Sequence, residues 1–145
     1  MMIYLKDFML ILRKKYKFCA AHQYKNSYWD EKKNIEVFGD DYRVHGHNYV
    51  VIVAVTGELN KDTGFIVDLQ KVNTIMKKDI ISELDHSNIQ EDISWFKDKQ
   101  PSSENLAIYI FDKLKEKIEL PTKLHSVTIE ETPTISSEYF GATND

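Results

Sequence analysis

The segment Val44-His-Gly-His-Asn-Tyr-Val-Val-Ile-Val-Ala-Val-Thr56 decides the fold. It is β-branched and apolar at both parities, the pattern of a strand that is central or covered on both faces. Working outward, Met9 to His22 suits a second long strand. Leu10, Leu12, Tyr16, Phe18, Ala20 and His22 share one parity, and Met9, Ile11, Arg13, Lys15, Lys17, Cys19 and Ala21 take the other. Between the two, Gln23 to Asp41 is polar and patternless and reads as a long loop. After Thr56 the polar turn Gly57 to Gly64 ends the strand, and Phe65-Ile-Val-Asp68 leads into a helix. Asp68 is its N-cap, and Val72, Ile75, Met76, Ile80 and Leu84 recur at helical spacing.

A second helix opens at Pro101-Ser-Ser-Glu104, with a serine cap and an acid in its first turn. Its apolar stripe runs Leu106, Ala107, Ile110, Phe111, Leu114 and Ile118, and Pro121 stops it. Leu124 to Glu131 is a third strand, and Ser136 to Phe140 supplies a short fourth. The order β-β-α-α-β-β predicts an α+β domain over 1–145, with a mostly antiparallel sheet carrying two helices on one face. Helices on one face leave the other side of the doubly apolar strand uncovered, so a homo-oligomer is expected.

Composition narrows the function. With 19 basic and 23 acidic residues among 145, the net charge is -4, which argues against a nucleic-acid partner. No run approaches the length of a membrane span. Lys6 and Asp7 interrupt the apolar N-terminus, and no signal-peptide core or cleavage site follows. A cytoplasmic protein with no membrane partner is expected. The single cysteine, Cys19, excludes an internal disulfide and a zinc cluster of several thiolates.

Three places can carry chemistry. His45 and His47 alternate in a strand, so their imidazoles share a face with alpha carbons roughly 7 Å apart. If the first two strands pair as a hairpin, His22 joins them, and three imidazoles leave one tetrahedral position open, as in catalytic zinc sites. The alternative is an exposed or otherwise satisfied His-x-His pair. Asp85-His86 follows the first helix and suits a proton relay, or else a helix terminus. Glu131 has the parity of Val127 and Ile129. It is either a sheet-edge carboxylate in water or one paired with the adjacent donors of a guanine-like or pterin ring. His125 reads as an edge or packing residue.

Taken in order, these pieces resemble one family. Phe18-Cys-Ala-Ala-His22 is similar to its F-x-A-[AS]-H, His45-Gly-His-Asn-Tyr49 to its HGHNY, and Gly64-Phe-Ile-Val-Asp68 to its G-x-[VI]-x-D. Leu84-Asp-His86, Pro101-Ser-Ser-Glu104 and Glu131-Thr132 complete the set. The resemblance is to the 6-pyruvoyltetrahydropterin and 6-carboxytetrahydropterin synthases of the tunnelling fold. It implies Zn2+ on His22, His45 and His47. It also implies a 7,8-dihydroneopterin triphosphate substrate whose ring is anchored by Glu131, helped by Glu104 and the neighbouring Ser103 segment. Trimers closing a barrel, stacked as hexamers, with sites at subunit boundaries, follow from it too. The pathway, whether queuosine-type, biopterin or folate, is left open.

One motif departs. The family's catalytic cysteine, kept working by the equivalents of Asp85 and His86, belongs to an F-G-K-C segment that here reads Phe38-Gly-Asp-Asp41. Cys19 lies three residues before His22, which in a strand puts it on the opposite face. The expected base is therefore Asp41, with Glu36 and Asp40 of the same loop as alternatives. Three readings stay open: a lyase of the family type, an aldolase-like variant yielding 6-hydroxymethyl-7,8-dihydropterin, and a non-catalytic pterin or metal binder. Arg43, Lys14 and Lys25 are candidate cations for the triphosphate.

Overall fold

The computed structural model describes residues 9–119 and 121–143; the stretch 1–8, part of the N-terminus read above for targeting, lies outside them. The two long strands form as expected, β1 at Ile11–His22 and β2 at His45–Thr56. They pair antiparallel without a bulge, from Ile11 opposite Thr56 to His22 opposite His45. That unbroken ladder puts Cys19 and His22 on opposite faces: Cys19 is exposed, whereas His22 is fully buried.

The expected loop between them is instead partly helical. Asp30 caps α1 (Glu31–Phe38), accepting the Lys33 N–H at 2.8 Å, and a 3-10 turn follows at Gly39–Tyr42. The helix's apolar Ile35 and Val37 are exposed and form no buried stripe, so periodicity does not reveal it. Its one fully buried side chain is Asn34, whose amide donates to the carbonyls of Asn26, Trp29 and Asp30.

The helix capped by Asp68 begins as α2 (Leu69–Ile75), passes through a π turn at Met76–Ile81 and ends as α3 (Ser82–Leu84). The two-residue strand β3 (Ser87–Asn88) then pairs parallel with β1 at Ala20 and Ala21. The sheet is accordingly mixed rather than purely antiparallel, in the order β3-β1-β2-β4-β5. After the short helix α4 (Ile89–Asp92), α5 spans Ser103–Leu114 with Ser102 as its cap, ending one turn before Ile118. β4 (Lys123–Thr132) and β5 (Ile135–Tyr139) complete the sheet. No helix among the described residues is long and apolar enough to cross a membrane.

The class is α+β, and one face of the sheet carries the core. Tyr49, Val51, Val53 and Val55 of β2 lie buried with Val72, Met76, Ile80 and Leu84 of the first long helix and Leu106, Ile110 and Leu114 of α5. On the opposite face Val50 and Ile52 are only half-buried. His125 packs edge-on against Phe140, as a packing residue does.

A candidate metal centre at the end of the first hairpin

The last pair of the β1–β2 ladder sets His22 against His45, and alternation adds His47 on the same face. Gly46 between them lets the strands close. A Cβ there would stand 3.1 Å from the Ala20 carbonyl oxygen, tighter than ordinary packing. One ligand nitrogen from each of the three imidazoles falls within 4.8 Å of the others.

The hydrogen bonds around this cluster decide which nitrogens face inward. His22 Nδ1 donates to the Pro101 carbonyl at 2.8 Å, with the Tyr49 hydroxyl 3.3 Å away, and His45 Nδ1 donates to the Arg43 carbonyl at 2.7 Å. A carbonyl can only accept, so both rings carry their proton on Nδ1 and present a bare Nε2. Those two Nε2 atoms face one another at 2.9 Å. Two neutral lone pairs repel at that distance unless a cation sits between them. For comparison, tetrahedral zinc at about 2.0–2.1 Å from each nitrogen would space them by roughly 3.3 Å. His47 Nε2 is buried with no hydrogen-bond partner, its nearest carboxylate oxygen being Glu131 Oε1 at 3.1 Å. Burial lowers the His22 pKa to about 4, so near neutral pH no proton competes for its lone pair. The residues fit a divalent ion, and backbone carbonyls hold two ligands in the binding tautomer.

Glu131 reaches this cluster from β4, its Oε1 also lying 3.4 Å from His22 Nε2. The β4–β5 register shifts between Glu130 and Thr132, so Glu131 is the extra residue of a bulge. Burial raises its carboxyl pKa against the pull of His47, and the like charges of Asp41 and Glu104 push the same way. Glu104 and Ser103 stand at the first turn of α5. The Ser103 hydroxyl lies 2.8 Å from that of Ser137 on β5 and 3.4 Å from Glu104 Oε2. Asp41, in the 3-10 turn, holds its largely exposed carboxylate 3.8 Å from His45 Nε2.

Asp85 and His86 are not part of this cluster within one chain. The Cys19 N–H donates to Asp85 Oδ1 at 2.9 Å, and the His86 N–H donates to the Cys19 carbonyl at 2.6 Å. His86 Nδ1 lies 3.0 Å from Asp85 Oδ2, and its ring is 84% exposed. These bonds hold His86 at a φ of 63°, the left-handed region uncommon for a residue with a side chain. The Cys19 N–H, with His86, keeps the Asp85 carboxyl below its usual range. Asp85 also helps line a cavity of about 480 Å³ with Lys17, Cys19, Asn48 and Val50, side chains of the uncovered face. A larger cavity of about 680 Å³, lined by Asp68, Lys71, Ile75, Lys117 and Thr122, contains none of the chemistry-bearing residues.

Of the candidate cations, Arg43 is tied to the centre through its carbonyl. Lys25 is held by two backbone bonds to Gln100, and the Lys14 ammonium lies 5.9 Å from the Tyr16 ring. Two aromatic neighbours escaped the sequence reading. Tyr49 continues the His45, His47 alternation, and Tyr24 follows His22 by two residues, its ring 4.9 Å from the imidazole. Strand parity is the signal for Tyr49, whereas Tyr24 lies beyond the end of β1, where no periodicity points to it.

Known proteins resemble this chain over most of its length. Residues 11–142 match the family described as 6-pyruvoyl tetrahydropterin synthase. A putative 6-pyruvoyl tetrahydrobiopterin synthase of Caenorhabditis elegans is 40% identical over 118 residues, 80% of this chain and 84% of that protein. The solved structure of the Caenorhabditis elegans 6-pyruvoyl tetrahydropterin synthase superposes with a TM-score of 0.85 at 36% identity, covering 92% of this chain and 96% of that one. A dihydroneopterin monophosphate aldolase of Pyrococcus furiosus is 27% identical over 114 residues, 79% of this chain and 82% of the aldolase.

Proposed function

The chain belongs to the 6-pyruvoyl tetrahydropterin synthase family, and on that premise we propose that it is a zinc-dependent lyase acting on the side chain of 7,8-dihydroneopterin triphosphate. The reaction would be of the 6-pyruvoyl- or 6-carboxytetrahydropterin synthase type. The observation that carries this reading is the convergence of three imidazole nitrogens beside a partly buried carboxylate. An all-nitrogen donor set with an open position suits zinc in a catalytic role. Bound there, the ion supplies positive charge that lowers the pKa of side-chain hydroxyls.

The chain's own groups do the rest. Glu131 accepts two parallel N–H bonds from the pterin ring and fixes its orientation, a fork geometry that a carboxylate matches. Ser103 and Glu104 close the ring pocket from α5. Asp41, beside His45, takes the side-chain proton that a cysteine removes elsewhere in the family, and Asp85 orients His86 for relay. Because that pair lies on the uncovered face, it serves the site of a neighbouring copy. The half-buried Val50 and Ile52 supply apolar surface for such an oligomer.

A second reading is favoured by one feature. A carboxylate rather than a thiol stands beside the centre, and the chain is also similar to an aldolase that acts on a phosphorylated dihydroneopterin. Aldolase-type cleavage would give 6-hydroxymethyl-7,8-dihydropterin.

Mass analysis of products from the zinc-loaded protein and dihydroneopterin triphosphate separates the two. Tripolyphosphate with a pyruvoyl or carboxy pterin supports the lyase. A hydroxymethyl pterin with a two-carbon fragment supports the aldolase, and ring binding without turnover removes both. Asp41→Ala should abolish turnover and spare the metal. Activity that survives it and disappears in Cys19→Ser would transfer the base role to Cys19.

A further inference from the structure

The mechanism above leaves Tyr24 unused, although it stands inside the site. Its ring lies 4.9 Å from the His22 ring at an interplanar angle of 55°. Behind it Phe38 stacks at 5.9 Å with planes 24° apart, and behind Phe38 comes Trp29 at 6.0 Å and 26°. The Lys33 ammonium caps this file, 4.4 Å from the centroid of the Trp29 ring. The file is braced at both ends. Tyr24 N–H donates to the Asp41 carbonyl at 3.0 Å, and Asp30 caps the helix that carries Lys33 and Phe38. Tyr24 itself is only half-buried. Its hydroxyl feels the charges of Glu131, Glu104 and Asp41, so the ring borders the same carboxylate-rimmed space as the metal ligands.

We propose that Tyr24 is a specificity-determining residue, the flat wall against which a planar heteroaromatic ring stacks while Glu131 holds that ring by its edge. This rests on the reading of Glu131 as the ring anchor. Phe38 stands almost parallel to Tyr24 and the His22 ring meets it at 55°, which fixes the wall's angle before anything binds and leaves the accessible part of this half-buried ring for a ligand. Such preorganisation favours a rigid bicycle over the flexible side chain of a substrate, because stacking rewards flat contact. The file also joins ring recognition to the turn carrying Asp41, since Phe38 and Asp41 are three residues apart. A ring seated on Tyr24 therefore has its substituent presented toward Asp41 and the imidazoles.

Neopterin, the ring system without phosphate, is the probe, followed by its own fluorescence in titration against the zinc-loaded protein. Tyr24→Phe keeps the stacking face and should bind within about threefold of the parent, whereas Tyr24→Leu should bind at least about tenfold more weakly, as loss of one aromatic stacking contact implies. Metal content and the thermal transition, measured on the same samples, should stay at parental values in both. Parental neopterin affinity in Tyr24→Leu overturns the inference, as does a weakened affinity accompanied by lost metal or a lowered transition, which marks a merely structural role. Failure of the parent protein to bind neopterin removes the Glu131 reading as well. Glu131→Gln distinguishes the two, for if it loses neopterin while Tyr24→Leu retains it, the anchor stands and the wall does not.

Discussion

At the scale of single residues, the centre depends on nitrogens whose protons are parked elsewhere. His45 and His22 each donate Nδ1–H to a backbone carbonyl, so removing an imidazole removes a ligand without disturbing its neighbour's tautomer. His45→Ala should cost one equivalent of bound zinc, read by metal analysis, with the fold preserved because His45 is partly exposed; full retention of metal would refute the site. His22 differs because it is fully buried. In the metal-free protein its pKa is about 4, against 6.5 for an unperturbed histidine. The unfolded chain therefore takes up a proton that the folded one refuses. Stability is full above pH 6.5 and falls progressively as the pH drops from 6.5 toward 4, by up to about 3 kcal/mol. Denaturant melts of the metal-free protein at pH 7.5 and pH 5 check this, and His22→Gln should flatten much of the slope. Gly46→Ala drives a Cβ against the Ala20 carbonyl at the ladder's end. It should cost about 1–3 kcal/mol in the same assay, as overpacking does, and loosen metal binding with it.

At the scale of elements, the strands and long helices were legible because their apolar residues keep period 2 or 3.6. The ladder of β1 and β2 follows from the two parities of Met9–His22 and the doubly apolar Val44–Thr56, and it placed Cys19 outside the centre. What sequence missed has local causes. α1 is held by a buried asparagine amide and an aspartate cap rather than by an apolar stripe. β3 is two residues long and parallel, too short for any period. The π turn at Met76–Ile81 keeps the expected apolar spacing, so nothing in the pattern betrays it. There the Asp79 carbonyl accepts from the Lys113 ammonium at 3.0 Å, and Lys113 also pairs with Glu83, which accepts the Tyr109 hydroxyl at 2.6 Å. The tautomer of His22 was equally invisible, since it depends on the Pro101 carbonyl far along the chain. Ser102 caps α5 by accepting the Asn105 N–H at 3.2 Å, and so steadies the segment that supplies this carbonyl. Ser102→Ala should cost about 1 kcal/mol in thermal or denaturant unfolding. It should also weaken zinc affinity in a chelator competition, although Ser102 touches no ligand.

For the whole molecule, the division of labour between the two sheet faces matters most. The metal centre and Glu131 belong to the helix-covered face, while Asp85, His86 and Cys19 meet at the uncovered one. If neighbouring copies complete one another's sites, Asp41→Ala and Asp85→Asn should each be inactive alone. Mixed, unfolded and refolded together, they should regain part of the activity, because some boundaries then unite an intact Asp41 with an intact Asp85. Absence of any recovery in mixed oligomers would refute the reading that neighbouring copies complete one another's sites. The unbulged hairpin has another consequence. Sliding β2 by one residue against β1 would turn Gly46 to the place of a histidine and carry His45 and His47 to the far side of the ribbon, away from His22. Such a misaligned hairpin could still bury much of its hydrophobic surface, because β2 is apolar on both sides, yet it would own no three-imidazole cup. An ion captured by the cup would therefore proofread strand alignment, favouring the one pairing that gathers the three imidazoles.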